Sequence, residues 1–199
     1  FVERRLPCVI AGSCHPGIDL PNADLDHYAL CRHAAGVLLG AGHRHVALLN
    51  ERSDRAGDIE SEAGFIAGVR ESPHRDAREM IVHHEHTSAS LARAVQRLLD
   101  APSPPTALLV SNAASYLTVM SVLAQRKQRV PQDVSVVSRD DEPFLSFLLP
   151  TPGRYAANPQ AFAKRLLKPI LQSLRGEPVI PRNSRILPTY ARGDSLAAP

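Results

Sequence analysis

The chain alternates between short, continuous apolar runs and longer segments in which apolar residues recur at helical spacing. The short runs predict buried strands, and they lie at 8–11, 46–49, 80–82, 106–110 and 134–137. The segments between them place apolar residues three and four positions apart, which predicts helices at about 28–41, 59–69, 88–99 and 117–124. Strands and helices therefore alternate regularly through the first two thirds of the chain.

This alternation determines the fold class that we expect. Parallel strands joined by right-handed crossovers place helices on both faces of a sheet. We therefore predict an α/β fold with a doubly wound parallel sheet over residues 28–141. Proline, phenylalanine and glycine become frequent over 142–159, which indicates a crossover, and a helix over 161–174 and an edge strand over 185–188 follow it. Pro169 lies inside that helix and is expected to kink or shorten it.

Composition limits the class of protein more than it identifies one. The chain has 199 residues, of which 44% are hydrophobic, so it can bury a core. Its 23 basic and 20 acidic residues are scattered and form no stripe, so we expect that the chain alone does not bind DNA specifically. Cys8, Cys14 and Cys31 form no C-x-x-C motif and indicate reduced thiols in a cytoplasmic protein. No apolar run approaches the roughly 18 residues of a membrane span, which argues against a membrane protein.

Polar residues follow the predicted strands, and this is where parallel sheets bind ligands. In open α/β sheets, ligands lie beyond the carboxyl ends of the strands. Hydroxyl, amide, imidazole and carboxylate groups occupy these positions here, at Ser13, 50–51, 83–86, 111–112 and 138–141. Such groups predict a hydrogen-bonding pocket for a polar small molecule. The alternative interpretation is that some of them only cap helices or form turns.

The same residues give little support to metal or catalytic chemistry. His84 and His86 face one side of an extended segment, but no H-E-x-x-H motif accompanies them, so we expect no metal and no cofactor. Ser111 follows a strand without the G-x-S-x-G turn of hydrolases, and the sequence contains no glycine-rich phosphate loop. Asp140 and Asp141 are adjacent and face opposite ways, which favours a cap and a ligand contact over an acid and base pair. A hydrolase that uses Ser111 or Asp140 stays an alternative.

Six short motifs, taken in order, carry a resemblance to a known family. They are Asp26 before a helix, Gly42-His43-Arg44, Ala63-Gly64-Phe65, Pro105-Thr106-Ala107 with Ser111-Asn112, Pro131-Gln132-Asp133-Val134-Ser135 with Asp140-Asp141, and Arg192-Gly193-Asp194-Ser195. In this order and spacing, the chain resembles the effector-binding core of the LacI/GalR family of bacterial transcriptional regulators. The resemblance extends over nearly the whole chain, from Leu6 to Ser195.

The resemblance implies a periplasmic-binding-protein-like fold that holds a sugar, nucleobase or other small metabolite between two lobes. Asn112 and Asp140 match positions that commonly hydrogen-bond the effector. His86 falls where an aromatic residue often stacks on the effector, and Ser13 follows a strand of the other lobe. These four positions are the ligand-binding residues that the family pattern predicts.

A fifth position, Ser61, is where this chain departs from the family pattern. The family usually has an arginine there, three residues before Gly64, that clamps the ligand. The loss of that arginine removes a bidentate donor. Arg139 can replace it only if its side chain turns inward. The acidic residue that usually follows the pocket asparagine is also missing, because Ala113 occupies that position.

The resemblance also implies how the chain divides and what it does. Residues 1–27 and 153–181 would form a truncated N-terminal lobe, and residues 28–152 and 182–199 the C-terminal lobe. The implied protein is a cytoplasmic, homodimeric transcriptional regulator, either a repressor or an activator, with no membrane partner and no enzymatic activity. It senses a small-molecule effector such as a sugar, and it contacts operator DNA only through an N-terminal helix-turn-helix that this sequence lacks. A solute-binding protein of the same fold, which serves a transporter, is the alternative.

Overall fold

The computed structural model describes residues 6–199, which form two β-sheets. Their strands are β1 (Ile10–Ala11), β2 (Asn22–Leu25), β3 (His45–Glu51), β4 (Arg78–His84), β5 (Ala107–Val110), β6 (Ser135–Ser138), β7 (Gly153–Ala156), β8 (Asn183–Ile186) and β9 (Thr189–Ala191). The larger sheet has the order β4–β3–β5–β6–β7–β9, and only its last pair, β7 and β9, is antiparallel. The smaller sheet has the order β1–β2–β8 and is parallel.

Five α-helices connect these strands in the described part of the chain. They are α1 (His27–Gly40), α2 (Ala56–Arg70), α3 (Ser88–Leu99), α4 (Ala113–Gln125) and α5 (Pro159–Leu174), and a 3₁₀ helix covers Pro143–Phe147. Helices α1 to α4 each follow or precede a strand of the larger sheet, whereas α5 packs on β2 of the smaller one. No helix within residues 6–199 is long and apolar enough to span a membrane.

The larger sheet has a hydrophobic core on each of its two faces. Ala47 and Leu49 of β3 pack with α3 and α4, whereas Val46 and Leu48 of the same strand pack with α1 and α2. Successive residues of a strand point to opposite faces, so a continuous apolar run supplies both cores. The predicted α/β class, with a doubly wound parallel sheet, is confirmed.

Helices α1 and α2 approach so closely that they require glycine at their contact. A Cβ atom at Gly64 would lie 2.1 Å from the carbonyl oxygen of Tyr28, and one at Gly68 would lie 2.5 Å from that of Arg32. Both distances are far below van der Waals contact, so a side chain at either glycine would push the helices apart. This packing fixes the position of α2, whose first turns carry residues of the candidate site.

The chain passes between the two sheets three times, after Leu25, after Ala156 and after Ile186. The sequence predicted lobe boundaries at 27/28, 152/153 and 181/182. Residues 1–5 of the first predicted segment lie outside the described residues. The last two crossings come later than predicted, because β7 pairs with β6 in the larger sheet and β8 pairs with β2 in the smaller one. Both strands are short and partly polar, so no apolar run indicated which sheet they join.

Other elements differ from their predictions for local reasons. The strand expected over 8–11 shortens to Ile10–Ala11 and is partly exposed. Strand β2 was not predicted, because its sequence Asn-Ala-Asp-Leu carries no apolar run. Helix α2 begins earlier than the apolar spacing indicated, at Ala56, so Asp58 lies within its first turn and Arg55 is the N-cap residue. Helix α5 continues through Pro169, which is buried, so the proline does not shorten it.

Candidate functional site

A cavity of about 570 Å³ lies between the two sheets, at the carboxyl ends of β3, β5 and β6. The smaller sheet and the loop after β1 contribute Gly12, Ser13, His15 and Asp24 to its wall. The rest of the wall consists of His27, Glu51, Arg55, Ala56, Gly57, Asp58, His86, Ser111, Asn112, Arg139 and Asp140. The cavity is therefore where the strand-end rule predicted a pocket.

Four of the five predicted ligand-binding residues line this cavity, namely Ser13, His86, Asn112 and Asp140. Asn112 is also the N-cap of α4, where its Oδ1 atom accepts a hydrogen bond of 2.7 Å from the backbone N–H of Ser115. Capping leaves the Nδ2 amide group of Asn112 as its donor toward the cavity. His86 is the most open of the four, with a side chain that is 82% exposed.

Ser61 is the fifth predicted residue, and it is fully buried behind the cavity wall. Its Oγ atom donates a hydrogen bond of 2.8 Å to the carbonyl of Gly57, one turn earlier in α2. The same Oγ atom accepts a hydrogen bond of 2.7 Å from Nη1 of Arg139. The side chain of Arg139 therefore turns inward, and Ser61 acts on the cavity through this arginine.

Asp58 is the charged partner of that arginine. Oδ1 of Asp58 lies 3.4 Å from Nη1 of Arg139, and Oδ2 accepts from Oγ of Ser53 at 2.6 Å and from Nε of Arg55 at 2.9 Å. Burial favours the neutral carboxyl group, but the hydrogen bond from Ser53 and the two guanidinium groups outweigh it and lower the pKa of Asp58. Glu51 extends the network, because it pairs with Arg55 at 2.7 Å.

Asp140 presents the carboxylate that is least engaged by protein groups. Its nearest cation is Nε of Arg139, at 3.9 Å, and its backbone carbonyl accepts from Oγ of Ser138. No side-chain hydrogen bond to its carboxylate occurs within residues 6–199. Burial raises the pKa of Asp140, and Arg139 opposes this shift. A carboxylate in this condition favours a ligand that donates hydroxyl or amine hydrogens.

Three buried polar atoms that belong to the wall have no partner among the described residues. They are Oγ of Ser111, Nδ1 of His27 and Nε of Arg139. Buried polar groups are nearly always hydrogen-bonded in folded proteins, so these three atoms leave hydrogen-bonding capacity unused in residues of the wall.

Several residues of the wall were missed by the sequence analysis. Asp24 lies in β2, a strand that the apolar pattern did not reveal, and His27 begins α1 next to it. Burial disfavours the charged form of Asp24, but hydrogen bonds from His27 and Ser13 outweigh it and lower its pKa to about 2. Arg55 was also missed, although an arginine just before a helix beside an acidic first turn is a visible signal. Glu51 and Ser111 were found by their positions after strands.

The four residues 83–86 do not converge on a common point. Nε2 of His83 lies 2.8 Å from Glu62, Nδ1 of His84 lies 2.9 Å from the carbonyl of Glu85, and Nδ1 of His86 lies 3.1 Å from Glu51. Within the described part of the chain, no group of three or more histidine, cysteine, aspartate or glutamate residues is arranged to hold a metal ion. The absence of a metal in the protein stays a prediction.

Comparison with known proteins identifies the family. Residues 35–196 match the model of the periplasmic binding protein-like domain. The transcriptional regulator AglR of Rhizobium meliloti is 29% identical over 83% of this chain and 49% of its own length. The transcriptional repressor CytR of Escherichia coli is 23% identical over 89% of this chain and 52% of its own length. The chain thus spans about half the length of these two regulators.

Solved structures agree with this match at the level of the fold. A LacI-family regulatory protein from Chloroflexus aggregans superimposes with a TM-score of 0.88 at 20% identity, over 98% of this chain and 70% of that one. At this identity, the similarity shows the fold alone. The chain therefore belongs to the family of periplasmic binding protein-like domains, and the resemblance to LacI-type regulators that its sequence predicts is confirmed.

Proposed function

We propose that this chain is the effector-sensing and dimerisation core of a LacI-type transcriptional regulator. The observation that carries the proposal is the cavity between the two sheets, whose wall brings together Asn112, Arg139 and Asp140. The regulator is cytoplasmic and homodimeric, and it is not an enzyme. Its contact with operator DNA is made by a separate DNA-binding segment of the full protein.

The charges of the wall indicate which effectors the cavity accepts. Four carboxylates line it, whereas the two guanidinium groups, those of Arg55 and Arg139, are both paired with Asp58. The inward turn of Arg139 therefore does not supply a free cationic clamp. An anionic ligand would be repelled by Asp140, the carboxylate that is least engaged by protein groups. The proposed effector is a polar molecule, neutral or cationic, such as a sugar.

The proposed mechanism uses the position of the cavity between the two sheets. An effector that contacts Ser13 on one side and Asp140 on the other stabilises the arrangement in which both sheets are close. It changes the equilibrium only to the extent that it binds the closed arrangement more tightly than the open one. In the full protein, the difference between the two arrangements would alter how a dimer presents its DNA-binding segments.

A thermal-shift screen with matched compounds tests the proposal. Neutral sugars, their amino-substituted counterparts and their carboxylate counterparts would be compared at equal concentrations, because a ligand that binds only the folded state raises the melting temperature. We expect stabilisation by a neutral or amino-substituted member. Stabilisation by the carboxylate members alone would contradict the proposed site. Hydrolysis of generic ester or glycoside substrates would contradict the proposal that the chain is not an enzyme.

A further inference from the structure

A group of polar and charged side chains at the edge of the cavity joins the two sheets directly. Arg185 lies in β8 and Ser13 follows β1, so both belong to the side of the smaller sheet. Glu60 lies in α2, which packs on the larger sheet. Nη2 of Arg185 is 2.7 Å from Oε1 of Glu60, and Oγ of Ser13 is 3.0 Å from its Oε2. Since the single hydroxyl hydrogen of Ser13 is donated to Asp24, Arg185 is the group that holds the carboxylate of Glu60 from the opposite sheet.

The strand order of the smaller sheet explains why these groups meet. Arg185 and Asp24 are register partners in the β2–β8 ladder, so they lie side by side on neighbouring strands. Oγ of Ser13 lies 2.8 Å from Oδ2 of Asp24, and Nη1 of Arg185 donates a hydrogen bond to the same Oγ atom. Three chain segments therefore fix one small cluster that faces Glu60. On the side of the larger sheet, the close contacts of Gly64 and Gly68 with α1 fix the position of α2 and therefore of Glu60.

We propose that the ion pair of Arg185 with Glu60 forms a latch that adds to the stability of the arrangement in which the two sheets lie close together. The side chains of Arg185 and Glu60 are 31% and 28% exposed, whereas those of the Arg32–Glu71 pair are 54% and 53% exposed. A less exposed pair is screened less by solvent and salt, so it contributes more than a surface pair. Three chain crossings alone leave the two sheets and their helices free to hinge, and the Arg185–Glu60 ion pair restricts that motion.

The latch has a consequence for effector binding, and this step rests on the proposed function. Ser13 and Asp24 belong both to the latch cluster and to the cavity wall. An effector that hydrogen-bonds either residue changes the partners available to Arg185 and Glu60. Binding and latching are therefore coupled, and by linkage a variant without the latch has an altered effector affinity.

Distance measurements on the chain without effector test the latch. Spin labels would be introduced through a non-canonical amino acid at Gln96 in α3 and Arg165 in α5, which are both exposed. Helix α3 packs on the larger sheet and α5 on the smaller one, so the distance between the labels reports how far apart the sheets are. This method leaves the three cysteines unchanged. Glu60→Gln and Arg185→Gln each remove the ion pair between the sheets. Glu71→Gln removes a more exposed pair, which joins α1 to the end of α2 on the larger sheet alone.

We expect Glu60→Gln and Arg185→Gln to shift the distance distribution toward longer values and to broaden it by the same amount. The double variant should show no further change, since both substitutions remove one interaction. Glu71→Gln should keep the distribution of the unmodified chain. A distribution in Glu60→Gln that matches the unmodified chain would overturn the latch. Because no ligand is used, this outcome is independent of whether the cavity binds an effector.

Discussion

Nη1 of Arg139 lies 2.7 Å from Oγ of Ser61, although the two residues are 78 positions apart in the sequence. The resemblance implied an arginine at the position of Ser61, and Arg139 brings a guanidinium group next to this serine from the loop after β6. Oδ1 of Asp58 lies 3.4 Å from the same Nη1 atom and compensates the charge of Arg139. The cavity wall thus contains an arginine whose charge is already paired with Asp58.

This pairing predicts the effect of removing the arginine. Arg139→Gln should destabilise the fold by about 1.5–3 kcal/mol, the usual range for a hydrogen bond to a charged group, because Asp58 and Asp140 lose their shared cation. The side chains of Arg139 and Asp58 are only 11% and 8% exposed, so solvent compensates little. Urea denaturation at pH 7 measures the change.

Arg32→Gln is the matched control, because it removes an arginine from an ion pair whose side chains are about half exposed. It should cost less than about 1 kcal/mol. Equal losses in the two variants would show that the contact of Arg139 is no stronger than an ordinary surface pair.

The close contact of α1 and α2 predicts a strong difference between two glycines. Gly64→Ala should destabilise the protein by about 1–3 kcal/mol, because the new methyl group would overlap the carbonyl of Tyr28. Gly36→Ala, on the exposed side of α1, meets nothing within 4 Å and should stabilise the helix by up to about 1 kcal/mol. Thermal unfolding of both variants decides the matter, and a neutral Gly64→Ala would contradict the packing.

Asp24 predicts part of the acid sensitivity of the fold. Burial opposes its ionisation, but the hydrogen bonds from His27 and Ser13 lower its pKa to about 2 from an ordinary 3.8. A carboxyl group with a lowered pKa stabilises the fold fully above its unfolded pKa, and this contribution disappears as the pH falls from about 4 through about 2.

Asp24→Asn should therefore reduce the stability at pH 7 by about 2 kcal/mol and flatten the loss of stability between pH 4 and pH 2. Urea denaturation at several pH values measures both effects. An unchanged pH dependence in the variant would mean that Asp24 titrates normally.

The sequence predicted those parts of the site that depend on strong local patterns. The apolar runs of β5 and β6 indicated two neighbouring parallel strands, so Asn112 and Asp140 could be placed at one edge of the sheet. The motif order indicated the family over nearly the whole chain. The placement of Asn112 and Asp140 and the identification of the family both rely on short stretches of neighbouring residues, which a sequence displays directly.

The missed parts depend on contacts between distant segments. Strands β2 and β8 are short and half polar, so their pairing was not visible, and with it Asp24 and Arg185 stayed unassigned. The inward turn of Arg139 depends on Ser61 and Asp58, which belong to another helix. No local pattern encodes such an orientation, because it results from tertiary packing.

The central claim is that Asp140 anchors a neutral or cationic polar effector in the cavity between the sheets. Isothermal titration of the most stabilising compound of the screen into the unmodified chain, Asp140→Ala and Asp141→Ala tests it most directly. Asp141 is the control, since it pairs with Arg154 at 2.6 Å and is not among the residues that line the cavity. We expect Asp140→Ala to weaken binding by about 1–3 kcal/mol and Asp141→Ala to leave it nearly unchanged. Equal affinity of the unmodified chain and Asp140→Ala would contradict the account.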